Sequence, residues 1–181
     1  MTHWYTADLH LSDAGVLRFF ERPFRSLTEM NHAIIDGLAA RLKHDDDLWV
    51  LGDVADADQG GAAIAATLLN QLPGRKHLVR GNHDDARITG LPWTSQHDLV
   101  EVQDGPGRFV LCHYPLLSWN GARQGAIQLF GHLHDRWPGS DRQVNVGVEL
   151  WGYRPITGAE AIIRAATASP VPLADRVEGM G

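Results

Sequence analysis

At 181 residues the chain has the length of a single domain, taking about 150 residues per domain as the guide. Its 44% hydrophobic and 21% charged residues are ordinary globular values and exclude a largely disordered chain. A net charge of −6 argues against a broad basic surface for nucleic acid, and the single cysteine, Cys112, excludes an internal disulfide framework. No apolar run approaches the roughly 20 residues that cross a bilayer, and the first ten residues lack the pattern of a secretory signal. The expectation is a cytoplasmic protein with no membrane partner.

Taken in order, His3 to Ala7 reads as a strand that ends at the polar segment Asp8 to Ser12. Ser26 and Glu29 form a capping-box pattern, and Met30, Ile34, Leu38 and Leu42 then recur at helical spacing, predicting a helix to about Lys43. The acidic run Asp45 to Asp47 reads as a solvated turn before a strand, Leu48 to Leu51, which stops at Gly52-Asp53. Ala62 to Leu72 predicts a helix closed by Pro73-Gly74, and Lys76 to Arg80 a third strand ending at Gly81-Asn82-His83-Asp84. This first half follows a βαβαβ grammar. The second half carries strand patterns at Asp98 to Val102, Phe109 to Cys112, Ile127 to Phe130 and Gln143 to Val146, which suggest a second sheet. Thr157 and Glu160 open a last helix to about Ala166. Residues 1–168 are expected to share one core, with 169–181 as a mobile tail.

The metal-capable side chains fall just after predicted strands. They are Asp8 and His10, Asp53, Asn82 with His83 and Asp84, His113, and His132 with His134. Loops leaving the carboxyl ends of strands converge in an open α/β sheet, so these residues are expected to meet. The pairs Asp8/His10 and His132/His134 are spaced i, i+2, which on extended backbone projects both members to one side. Two carboxylates, four imidazoles and an amide oxygen make a mixed nitrogen and oxygen set. That set suits manganese, iron, zinc or nickel and is too rich in nitrogen for calcium. Seven donors exceed one tetrahedral site, and two divalent ions about 3.5–4 Å apart, bridged by a carboxylate, would use them all. Such a pair keeps a small positive surplus facing an anion and makes hydroxide available near neutral pH, so phosphoester hydrolysis by metal-bound hydroxide is the expected chemistry.

Asp8-Leu9-His10, Gly52-Asp53, Gly81-Asn82-His83-Asp84, His113 and Gly131-His132-Leu133-His134 resemble, in order, the motif set of the calcineurin-like metallophosphoesterases. Asn145-Val146-Gly147-Val148 and Tyr153-Arg154-Pro155 resemble the end of the small single-domain bacterial and phage members. The resemblance implies an α/β fold of the four-layer α/β/β/α sandwich type. It also implies one ion, manganese foremost, on Asp8, His10, Asp53 and His134, and a second on Asp53, Asn82, His113 and His132. His83 is similar to the family's catalytic histidine, which assists the leaving oxygen, and Asp84 to the carboxylate that orients it. Where many small members carry a further histidine soon after the first motif, this chain has Ser12-Asp13.

The remaining candidates have plainer readings beside them. Arg22 and Arg123 lie in loops that could reach a phosphate, and Trp93 and Trp119 could stack a base, although surface arginines and packed indoles are common. Arg22 and Trp119 stand as the substrate-binding candidates. His3, His32, His44, His77 and His97 read as surface or core histidines, Cys112 as a buried inert thiol, and the glycines at 52, 81 and 131 as tight turns around the site. The acidic charge favours a small phosphoester as substrate over extended nucleic acid. A nuclease for short strands and a non-catalytic binding scaffold of the same fold are the alternatives.

Overall fold

The computed structural model describes residues 1–171, so most of the expected tail, 172–181, lies outside the described residues. β1 (His3–Thr6) pairs in parallel with β2 (Asp47–Val50), β2 with β3 (Arg75–Val79), and β3 with β4 (Ser95–His97). The short β10 (Ile156–Thr157) closes the far edge antiparallel to β1, giving the order β10-β1-β2-β3-β4. A second five-stranded sheet takes β5 (Leu99–Asp104), β6 (Gly107–Cys112), β7 (Ile127–Phe130), β8 (Gly139–Ser140) and β9 (Gln143–Asn145) in the order β5-β6-β7-β9-β8. The sequence therefore reads correctly as mixed α/β with two sheets.

Alternation along the strands decides which face each residue buries. Tyr5, Trp49, Leu51 and Val79 of the first sheet share one core with Phe109, Leu111, Leu129 and Val144 of the second, so the sheets are packed face to face. Ala161 and Ala165 of α5 (Gly158–Ala166) join that core. The opposite face of the first sheet, with Leu48, Val50 and Leu78, is covered by α2 (Leu27–Ala39) and α3 (Gly61–Gln71) through Met30, Ile34, Leu38, Ala65 and Leu68. Val110, between Phe109 and Leu111, points outward beneath Trp119, Ala122 and Ala126. Trp119 is thus a core residue, its indole N–H donated to the Ala126 carbonyl at 2.9 Å, and not a substrate contact.

Several boundaries differ from the sequence expectation. Ser26 caps α2 as predicted, but the helix ends at Ala39, and Leu42 stays buried on a turn whose N–H reaches the Leu38 carbonyl at 3.2 Å. Five short helices and strands were not foreseen, α1 (Ala14–Phe19), α4 (Ala86–Thr89), β4, β8 and β10, each too short to show a period. The acidic run is not a solvated turn. Only Asp45 is exposed; Asp46 accepts hydrogen bonds from Thr2 N, Lys43 N and the Trp4 indole, and Asp47 begins β2. Among the described residues no helix is long and apolar enough to cross a membrane.

Candidate metal centre

The ladder between β1 and β2 continues past the ends of both strands. Asp8 N–H reaches the Gly52 carbonyl at 3.1 Å, His10 N–H the Asp53 carbonyl at 2.9 Å and Leu11 N–H the Val54 carbonyl at 3.0 Å. Beyond β6 and β7 the Gly131 N–H likewise reaches the His113 carbonyl at 2.9 Å. A parallel bridge between Ala7 and Gly147 ties the two sheets together at this same end. Candidate ligands from loops far apart in sequence are therefore carried on backbone that is itself hydrogen bonded.

That backbone is not extended. Asp8, His10, Asp53, His132 and His134 all have positive φ, between 49° and 68°. Non-glycine residues hold this left-handed conformation at a cost of order 1–3 kcal/mol each. The i, i+2 pairs meet the site through strained turns and not through the strand projection the spacing suggested. Two glycines make the close approach possible: Gly52, at φ +81°, where a Cβ would lie 2.5 Å from His113 Nδ1, and Gly131, where it would lie 2.8 Å from Asp8 Oδ2.

The result is two adjoining groups of donors. Asp8, His10 and His134 offer ligand atoms within 4.8 Å of one another, all three residues buried; Asp53, His113 and His132 form a second such group. Asp53 stands between them, with Oδ2 3.5 Å from His10 Nε2 and 3.4 Å from His113 Nε2. Asn82 Oδ1 lies 3.1 Å from His113 Nε2 and 3.0 Å from His132 Nδ1. All seven residues singled out in the sequence as ligands are brought together. Asp8 Oδ2 and His10 Nε2 are buried without a hydrogen-bond partner, an expensive state that a cation between them would relieve. The donor set therefore fits divalent metal ions.

The electrostatics agree. Burial pushes the Asp8 carboxyl up to about 6 despite the neighbouring imidazoles. Burial acts to lower His10, but Asp13 and Asp53 outweigh it and carry it up to about 9. Asp53 is buried too, yet His10 and His113 beside it hold it far below the usual carboxylate range. Burial also acts against the charged form of His113, but Asp53 raises it, while burial lowers His132.

Behind the donors lies a shell that the sequence showed only in part. His10 Nδ1 is 3.0 Å from Asp13 Oδ2, and His134 Nδ1 is 2.8 Å from Glu149 Oε1, so each imidazole is backed by a carboxylate that orients it. His113 Nδ1 instead faces the Leu51 carbonyl at 2.7 Å. Arg22 is not a substrate contact. It is buried, bonds Glu149 twice, and donates to the carbonyls of Asp8 at 2.6 Å and Leu9 at 2.9 Å, which holds the first ligand loop from behind. Among the described residues Asp84 makes no hydrogen bond to the His83 side chain. Its carboxylate accepts from the N–H groups of Asp53, Val54 and Gly81 at 2.8–3.0 Å, so it pins the two loops that carry Asp53 and Asn82.

His83 itself is exposed at the mouth, its ring centroid 5.2 Å from that of His10. Phe20 stacks on His134 with centroids 3.6 Å apart, and Tyr114 packs edge-on against His113 and His132. Asp13, Glu149, Phe20 and Tyr114 were missed in the sequence. Asp13 alone carried a signal, as an N-cap residue before a helix; its side chain accepts from Gly15 N and Val16 N. Trp93 spends its indole N–H on the Ile88 carbonyl, Arg123 is exposed, and Cys112 is buried.

No family model matches the chain. Among curated proteins it is 29% identical to the Gene 66 protein of Mycobacterium phage D29 over 178 residues, covering 82% of this chain and 88% of that one. It is 28% identical to an uncharacterized protein of Methanocaldococcus jannaschii over 158 residues, covering 83% and 84%. Among solved structures, a protein of unknown function from Aquifex aeolicus superposes with a TM-score of 0.68 at 22% identity, covering 88% of this chain and 97% of that one. YfcE, a phosphoesterase from E. coli, superposes with a TM-score of 0.52 at 16% identity, covering 81% and 78%. The chain shares its fold with these two solved structures.

Proposed function

We propose that the protein is a phosphoester hydrolase of the calcineurin-like metallophosphoesterase type, acting on small phosphodiesters or phosphomonoesters. One observation carries this reading: Asp53 stands between two donor groups, and two buried atoms of the first group have no hydrogen-bond partner. The fold held in common with a phosphoesterase supports it, and the two packed sheets suit a four-layer sandwich. Asp8, His10, Asp53 and His134 would hold one divalent ion, and Asp53, Asn82, His113 and His132 the other, with manganese first among iron, zinc and nickel. Bound there, such ions polarise a phosphoryl oxygen and lower the pKa of water.

The chain's own residues supply the rest. Asp13 and Glu149 hold the Nδ1 side of His10 and His134, leaving Nε2 of each to face the centre. The Asn82 amide brings a donor and an acceptor without adding negative charge, which suits an anionic substrate. His83, exposed at the mouth, is placed to pass a proton to the leaving oxygen. Asp84 keeps Asp53 and Asn82 in register and acts by positioning.

The test is to strip the purified protein with chelator, return manganese and measure both bound ions and hydrolysis of bis(4-nitrophenyl) phosphate. Two ions per chain with metal-dependent turnover is the expected result. Two ions with no turnover on any phosphoester would make the protein a binding scaffold, and a preference for a twenty-nucleotide strand over small esters would make it a nuclease.

A further inference from the structure

α1 ends in an unusual way. It buries Val16 but leaves Phe19 79% exposed, and Phe20 next to it is stacked on His134. The helix is fastened to the site, because Asp13 caps it through Oδ1 while Oδ2 meets His10 Nδ1. Val16, Phe19 and Phe20 form one wall of a cleft of about 370 Å³ whose other residues include Asp53, Asn82, His83, His132 and His134. An exposed phenyl ring here is continuous with the candidate metal centre, and neither Lys nor Arg lines the cleft.

On the other side of His10 and His83 lies a second cleft of about 340 Å³. Asp56, Asp58 and Asp85 line it, with Asp13 common to both clefts, and its one arginine, Arg87, is tied to Asp58 and Asp85. A group leaving the centre toward this side meets net negative charge, so a second phosphate or a carboxylate is disfavoured there. Phe20 is already stacked on His134 and has the Arg136 guanidinium 5.1 Å from its ring centroid, so a group leaving toward α1 meets chiefly the open ring of Phe19, which gains by being covered.

Resting on the phosphoester reading, we propose that Phe19, with Val16 and Phe20, is a specificity wall that selects phosphoesters carrying a flat, apolar, uncharged arm. Phe20 cannot be tested cleanly because it also packs a candidate ligand, so Phe19 is the residue to change.

The experiment titrates the manganese-loaded full chain with methylphosphonate and phenylphosphonate by calorimetry, which reads binding independently of turnover. Phenylphosphonate should bind about tenfold tighter, the scale of one well-covered apolar group. In Phe19→Ala that ratio should fall to near one through weaker phenylphosphonate binding. Ile163→Ala, at an exposed apolar position outside the cleft, should keep the wild-type ratio. If methylphosphonate binds but the wild-type ratio is near one, or if Phe19→Ala preserves the preference, the wall is wrong and the phosphoester reading stands. If manganese is retained and neither phosphonate binds, the phosphoester reading fails and takes the wall with it.

Discussion

β1 and β2 carry histidine- and aspartate-rich clusters at both ends, and the two clusters differ in how their polar atoms are used. At the amino ends, Asp47 takes two nitrogens of Arg75 at 2.6 and 2.8 Å and meets His77 Nε2 at 3.0 Å. His77 Nδ1 lies 2.8 Å from Ser95 Oγ, which lies 2.8 Å from His97 Nε2, while His3 Nδ1 accepts from the Trp49 indole at 3.1 Å. All of these residues sit in regular strands. At the carboxyl ends, five candidate ligands sit in left-handed turns, and Asp8 Oδ2 and His10 Nε2 are buried without a hydrogen-bond partner. The same residue types make a closed hydrogen-bond network at one end and an electrostatically unfinished site at the other. Composition cannot tell them apart; unspent donors and strained backbone can.

The sharpest way to break this contrast is Asp53→Asn, which removes charge from both donor groups at once. It should lose both ions and essentially all hydrolysis, measured by elemental analysis beside turnover. Two tightly held ions with normal activity would place the bridge elsewhere.

His83→Ala separates chemistry from ligation within the same end. Metal content should persist while kcat falls by roughly 10²–10⁴-fold, the range for a lost general acid or base. Esters with good leaving groups should suffer less, since they need less protonation; equal losses across leaving groups would demote His83 to electrostatics or positioning.

A smaller effect is expected from Asp13→Asn, which can still cap α1 but no longer offers a carboxylate to His10. Metal affinity should fall about 10–100-fold with unchanged thermal stability of the metal-free protein. Unaltered affinity would show that the backing carboxylate is not needed.

The amino-end cluster should give the smallest effect, confined to stability. Burial acts to raise Asp47, but Arg75 and His77 outweigh it and hold it at about 2. A carboxylate lowered on folding stabilises above its unfolded pKa of about 3.9, and that contribution fades as pH falls from about 4 to 2. Asp47→Asn should therefore flatten the acid limb of a denaturation profile between those values. Metal content and turnover should be untouched. A loss of metal in this variant would mean that the two ends are not independent.

The physical reasons for what was legible lie in particular residues. The periods of Met30, Ile34 and Leu38 and of Phe109 and Leu111 are local, so helix and strand could be read from them. The seven candidate ligands were legible because each falls at or just after a strand end, Asp53, Asn82 and His132 directly after a glycine. The carboxylates behind them were not. Glu149 sits 15 residues from His134 and 127 from Arg22, in a segment with no period, and only the pairing of Ala7 with Gly147 brings it there. Arg22 and Trp119 were misread for the same reason, since loop position does not say whether a side chain turns inward.

By itself, then, the sequence determined the mixed α/β class, the strand ends and the identity of the donors, because these depend on neighbours along the chain. Only the tertiary structure decided that Asp53 lies between the two donor groups, that Asp13, Glu149 and Arg22 stand behind them, and that Asp47 and His77 satisfy each other at the opposite end. Those outcomes depend on which distant loops share a desolvated space, where an unpaired polar atom is costly and a paired one is not.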